Sequence, residues 1–181
     1  MWIVSRNGNE QKFYIEGFLV ASINSFVPEF NCFEIYYPES TNDKKNLKIK
    51  ITYLSDVNLE ERDLELLILS QDYEQVLSSK KGDFLIEEFY ENTVHKEICT
   101  WKNGRLEGHR KLFYPSSFKK TEQKYVNGLL EGEFKSFYDT KENLLMCRGI
   151  SKNGELNGIY EKYKENGEAS EQIFHNNGTL E

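Results

Sequence analysis

Four short segments in the second half of the chain align without gaps. They are Asn103-Gly104-Arg105-Leu106-Glu107-Gly108, Asn127-Gly128-Leu129-Leu130-Glu131-Gly132, Asn153-Gly154-Glu155-Leu156-Asn157-Gly158 and Asn177-Gly178-Thr179-Leu180-Glu181. The shared pattern is N-G-x-L-[EN]-G, and the fourth copy stops just before its second glycine. Successive first glycines (Gly104, Gly128, Gly154, Gly178) lie 24, 26 and 24 residues apart. An aromatic residue follows the second glycine by five positions each time: Phe113, Phe137 and Tyr163. A period of this size constrains the fold more than composition does. One supersecondary unit recurs, and neighbouring units must bury one another.

The physics of one unit is readable. Asn-Gly tolerates positive φ at two successive residues, which is the strongest short-range hairpin signal. The second glycine permits a further bend or a close backbone approach. Between glycine motifs lie two extended runs, such as His109–Tyr114 and Lys119–Val126. Pro115-Ser116-Ser117 and Asn166-Gly167 read as turns between paired runs. Asp139-Thr140-Lys141-Glu142-Asn143 makes a longer turn and accounts for the two extra residues of the middle spacing. The seven glycines Gly104, Gly108, Gly128, Gly132, Gly154, Gly158 and Gly178 are therefore structural residues of a meandering antiparallel sheet.

The string N-G-x-L-x-G followed by an aromatic resembles the MORN-repeat family, and within it the shorter variant repeat of bacterial proteins. The resemblance covers residues 84–181. In its first unit, Phe89-Tyr90-Glu91-Asn92-Thr93 places Asn92-Thr93 where a turn glycine is expected. The family implies a stack of antiparallel hairpins and binding in place of catalysis. Bacterial members of the variant type resemble antitoxins or immunity partners of polymorphic toxins. Other members are scaffolds or associate with membrane lipid. Fold alone does not decide among these.

Residues 1–83 read differently. The runs at residues 12–15, 17–21, 32–37 and 47–53 read as strands, and in the last Leu47, Ile49, Ile51 and Tyr53 share one face. Pro38 and the polar run to Asn46 mark a hairpin loop. Asp56 or Asn58 is placed to cap a helix over residues 59–65, and Leu66-Leu67-Ile68-Leu69 fits either its continuation or a buried strand. Ser70 is placed to cap a second short helix through Tyr73, Val76 and Leu77. The expected fold is mainly β: an acidic α+β module over 1–83, then MORN-like hairpin repeats over 84–181. A module at the start of a solenoid would cover an exposed strand edge.

Charge follows the same division. The first 88 residues hold 9 basic and 16 acidic side chains, whereas the rest hold 14 of each. All of the net charge of -7 therefore lies in the first half. That balance disfavours direct nucleic-acid binding, because an acidic surface repels phosphate. Arg110-Lys111 and Lys119-Lys120, mixed with Tyr and Phe, are local basic exceptions, readable as an RNA-binding or anionic-lipid surface or as a solvated strand face. No long apolar run suits a membrane helix, and the opening residues lack the basic head and apolar stretch of a signal peptide. Cys32, Cys99 and Cys147 are odd in number and widely spaced, which suits a reducing compartment, so the expected location is cytoplasmic.

Catalytic chemistry finds little footing. His95, His109 and His175 are isolated in expected strands, without the spacing of a zinc site. No phosphate-binding Gly-rich loop occurs. The expectation is a non-enzymatic chain with no catalytic residue, metal site or cofactor. Two surfaces are candidates for binding a protein. From Asp56 to Glu74 stand seven acids (Asp56, Glu60, Glu61, Asp63, Glu65, Asp72, Glu74) against Arg62 alone. They fit either a solvated helix face or a surface that docks into the basic site of a toxin. Tyr114 and Tyr138 follow the conserved-phase aromatics and point to the opposite face, as a ladder or as contact residues. The leading expectation is an immunity or antitoxin protein with a basic-surfaced toxin as partner, membrane being disfavoured. The alternative is a scaffold that assembles through its repeat sheet or binds lipid.

Overall fold

A computed structural model describes residues 2–7, 10–15, 18–24, 32–37, 46–54, 61–70 and 72–180. The chain is mainly β, and its strands pair antiparallel with near sequence neighbours. It divides into two compact units, residues 1–94 with 101–105, and residues 95–100 with 106–181.

The first unit opens with a meander of β1 (Trp2–Asn7), β2 (Glu10–Ile15), β3 (Phe18–Asn24), β4 (Cys32–Tyr36) and β5 (Leu47–Tyr53). Each pairs with the next, and β5 then pairs with β6 (Asp83–Phe89). The opening strand β1 carries no clean alternation and was not among the expected strands. Alternation in β5 produces the core: Phe33, Ile51 and Ile86 stand opposite one another on three strands, all fully buried. Ile35 and Ile49 make the neighbouring buried pair, and the Tyr53 ring meets Phe84 edge-on at 5.8 Å. Each such side chain contributes about 1.5–3 kcal/mol by leaving water. The Tyr37 N–H donates to the Asn46 carbonyl at 2.8 Å and closes the β4–β5 hairpin; residues 38–45 lie outside the described residues.

Two helices follow β5: α1 (Glu61–Ser70) and α2 (Tyr73–Leu77). The apolar run 66–69 belongs to α1. Helical spacing buries Asp63 and Leu67 one turn apart, while Leu66 and Leu69 face outward. The capping expected of Asp56 or Asn58 lies outside the described residues. Ser70 does not cap α2. Its hydroxyl donates back to the Leu66 carbonyl at 2.7 Å, and Asp72 accepts the Gln75 N–H at 3.1 Å as the N-cap. A carboxylate is the stronger acceptor for these orphan donors. Tyr73, Val76 and Leu77 bury the inner face of α2, with Tyr73 edge-on to Trp101.

The second unit is built from the repeat. Its long strands are the first six residues of β7 (His95–Lys102), then β10 (Lys119–Val126), β13 (Leu145–Lys152) and β16 (Ala169–Asn176). Each is followed by an Asn-Gly turn and a two-residue strand: β8 (Arg105–Leu106), β11 (Leu129–Leu130), β14 (Glu155–Leu156) and β17 (Thr179–Leu180). At the second glycine begin β9 (Gly108–Phe113), β12 (Gly132–Phe137) and β15 (Gly158–Tyr163). The sheet runs β7-β9-β10-β12-β13-β15-β16, antiparallel throughout. All seven motif glycines have positive φ, as do Asn103, Asn127, Asn153 and Asn177. The four turns are equivalent.

The bend between paired runs also repeats. Tyr114, Tyr138 and Lys164 donate their N–H to Phe118, Leu144 and Glu168 at 2.8–2.9 Å. One residue in each bend is left-handed: Ser117, Asn143 and Gly167. The same bond joins Tyr90 to Val94 in the first unit, and there Thr93, at φ 66°, fills the place expected of glycine.

Candidate functional site

Strand alternation divides the second unit's side chains between two faces. One face is partly packed. Glu97, 5% exposed, accepts hydrogen bonds from two of the Arg110 nitrogens, Nε at 2.7 Å and Nη2 at 3.2 Å. Phe134 and Tyr160 stack at 6.3 Å over Gly149, where a Cβ would lie 2.7 Å from the Phe134 ring. Gly149 is outside the Asn-Gly motif, and close approach alone explains it. Burial and the Cys147 thiol beside it push the Tyr160 phenol up to about 12.

The opposite face carries two cross-strand rows. Register places Lys111 opposite Glu122, Glu122 opposite Lys135, Lys135 opposite Arg148, Arg148 opposite Glu161 and Glu161 opposite Gln172. A second row pairs His109 with Lys124, Glu133 with Ile150, and Ile159 with Phe174. A groove of about 420 Å³ is lined by His109, Lys111, Glu122, Lys124, Glu133 and Lys135 among others. A second, of about 230 Å³, continues from Glu133 past Arg148 to Ile150, Ile159 and Glu161. The last apolar stretch is open: Ile150, Ile159 and Phe174 are 48%, 48% and 46% exposed.

The carboxylates lining the two grooves are engaged. Glu122 pairs with Lys119 and Glu133 with Lys135, both at 2.8 Å. Glu161 receives Arg148 Nε at 2.5 Å, the Tyr163 hydroxyl at 2.9 Å and Gln172 Nε2 at 3.0 Å. The Arg148 hydrogen bond, with that of Tyr163, holds the Glu161 carboxyl below its ordinary value. Among the described residues, Lys111 and Lys124 make no ion pair within 4.0 Å. The face therefore runs from a cationic groove to an apolar one.

The residues expected from sequence fall elsewhere. Tyr114 and Tyr138 are half-buried, and their hydroxyls donate to the Phe137 and Tyr163 carbonyls at 2.8 Å, tying each hairpin to the next. Burial, then Asp139, raises the Tyr114 phenol. In the first unit the Tyr37 hydroxyl makes the same bond to the Phe89 carbonyl at 2.7 Å. Of the seven acids, Asp56 and Glu60 lie outside the described residues, and Glu61 and Glu65 lie on α1 with undescribed side chains. Asp63 is buried and meets Lys80 Nζ at 2.5 Å, so its charge is committed within the first unit. Asp72 caps α2, while Glu74 is exposed. The basic pairs separate by face: Arg110 turns to Glu97, Lys111 to the groove, and Lys120 lies over the Tyr114 ring at 5.6 Å.

Sequence reading passed over Lys111, Lys124, Ile150, Ile159 and Phe174 as a set. The available signal was repeat phase. His109, Glu133 and Ile159 occupy one repeat position, five after the first glycine, and Lys124, Ile150 and Phe174 another, four before it. Among the described residues, no group of three or more His, Cys, Asp or Glu side chains is placed to hold a metal ion. No described helix is long and apolar enough to cross a membrane. No protein-family model, curated protein or solved structure matches the chain.

Proposed function

We propose that the chain is a non-enzymatic protein-binding module of the MORN-repeat type. In this reading it is an immunity or antitoxin protein that holds a cognate toxin inactive in the bacterial cytoplasm. The observation that carries the binding reading is the open face of the second unit. Ile150, Ile159 and Phe174 form a contiguous exposed apolar stretch rimmed by Glu133, Arg148 and Glu161. Exposed apolar patches with polar rims mark protein-interaction sites. The repeat framework supports the same reading. Backbone turns and Leu positions recur while this face changes from His109 and Lys124 to Ile159 and Phe174. The acid-rich first half supplies a field that would steer a basic toxin surface towards the protein.

Affinity purification of the intact chain from native cells, read by mass spectrometry, tests this. One dominant partner is expected, with the partner's toxicity suppressed on co-expression. Recovery of several structural partners, or pelleting with lipid vesicles, would replace the toxin reading with that of a scaffold.

A further inference from the structure

The rows of the open face specify what should lie on them. We infer that the Lys111–Lys124 groove and the adjoining Ile150–Ile159–Phe174 stretch bind one acidic segment of a protein partner that carries apolar side chains. The inference rests on the protein-binding reading above and names the chemistry of the bound segment.

Charge complementarity selects the occupant. The three carboxylates that line the two grooves, Glu122, Glu133 and Glu161, are each held by a cation, at 2.8, 2.8 and 2.5 Å. Lys111 and Lys124 have no such partner among the described residues, and His109 stands directly opposite Lys124. Both lysines are exposed, so the groove presents uncompensated positive charge to an incoming chain. Two groups then discriminate among anions. Glu122 and Glu133 line the same groove as the lysines and would repel a continuous polyphosphate, whereas a peptide can place its carboxylates at Lys111 and Lys124 alone. Glu133 lines both grooves, so the apolar stretch is the direct continuation of the cationic one. A nucleic-acid backbone has nothing to bury there; Leu, Ile or Phe side chains do.

The surface differs from the acidic segment of the first half, which suits a basic partner site.

The test pans a displayed library of random peptides against the intact chain, with Lys111→Glu/Lys124→Glu and Ile159→Ser as parallel targets. Circular dichroism verifies that each variant is folded. The expected winners combine Asp or Glu with apolar residues. They weaken at high salt and bind the double lysine variant about tenfold less tightly. Ile159→Ser should weaken them as well. Enrichment of apolar peptides without acids, lost only in Ile159→Ser, overturns the acidic occupant while leaving the protein-binding face standing. Acidic winners retained by both variants overturn the location. Basic winners, no enrichment, or tighter retention of a single-stranded RNA pool at the same salt overturn the inference outright.

Discussion

The Glu131 carboxylate accepts the backbone N–H of Asn153 at 2.8 Å, from one repeat to the turn of the next. Glu107 and Asn127 stand in the same relation at 2.8 Å, and beside each bond a turn glycine donates to the preceding Leu carbonyl. The acidic fifth position of the motif is therefore a cap for the following turn. In the third copy Asn157 takes that place, and its Nδ2 donates to Asn177 Oδ1 at 2.6 Å.

Glu131→Ala should lower stability by about 1 kcal/mol, the net worth of a partly exposed hydrogen bond to a charged acceptor. Glu131→Gln keeps an acceptor and should recover part of the loss. Urea midpoints of the three proteins decide it. Equal midpoints for Ala and wild type would reduce the fifth position to a solvated residue.

Gly104 differs from its repeat equivalents in what surrounds it. Its φ is +81°, and a Cβ would run into the Ser78 carbonyl oxygen at the end of α2. At its equivalents Gly154 and Gly178 a Cβ would meet nothing closer than 3.5 Å, and Gly132, a second glycine of the motif with a similar φ of +84°, has open space around it. Gly132→Ala should therefore cost about 1 kcal/mol through backbone strain alone. Gly104→Ala adds a displaced backbone and should cost about 3 kcal/mol. A smaller loss at Gly104 than at Gly132 would mean that α2 yields easily.

Thr93 sits at φ 66°, where its counterpart in the last bend is Gly167 at 82°. A β-branched residue is strained in this region. Thr93→Gly should raise stability by about 1 kcal/mol, unless added freedom in the unfolded chain offsets it. Thr93→Asn separates the two effects, since Asn tolerates the left-handed region without glycine's entropy. A lower midpoint for both variants would show that the Thr side chain itself holds the turn.

These positions mark how far the sequence could be read. Asn-Gly pairs in phase with Leu106, Leu130, Leu156 and Leu180 disclose the hairpin repeat, because turn chemistry and period are local properties. Leu47–Tyr53 discloses its strand for the same reason. What was hidden depends on register. Tyr37, Tyr114 and Tyr138 form one kind of inter-hairpin tie, but Tyr37 bonds to Asn46, farther along the chain than Phe118 is from Tyr114, so its hairpin breaks the period. The acid at Asp63 looks like its neighbours in sequence, and only packing against Lys80 distinguishes it. The open face was hidden because Lys111, Ile150 and Phe174 lie on separate strands and meet only once the sheet is paired.

The Tyr160 phenol, raised to about 12 by burial and by Cys147, links stability to alkaline pH. A folded-state value above the unfolded one of about 10 favours the folded state while the phenol stays neutral. That contribution is fully present below about pH 10 and fades as pH rises towards about 12. The stability difference between wild type and Tyr160→Phe should accordingly shrink over that window. Urea titrations at stepped pH measure it. A difference that stays constant would detach the phenol's ionisation from folding.

Asp63 and Glu74 belong to one acidic run and should behave as opposites. Asp63 is buried against Lys80 Nζ at 2.5 Å, so removing it leaves a largely buried ammonium without its counter-charge. Asp63→Ala should cost about 3 kcal/mol, the order found when one partner of a buried pair is deleted. Replacing both partners, as Asp63→Leu/Lys80→Met, should recover much of that loss, since the stranded charge goes too. Glu74 is exposed, and Glu74→Lys should alter stability by about 0–1 kcal/mol. Any slowing of association with a basic partner by Glu74→Lys is then an electrostatic effect, and it should diminish as salt is raised. The same loss of binding in Asp63→Ala would follow from unfolding instead. Melts and association rates for the two variants separate these outcomes. If Asp63→Ala melts with wild type, the Lys80 pair does not hold α1, and Asp63 returns to the set of acids open to a partner.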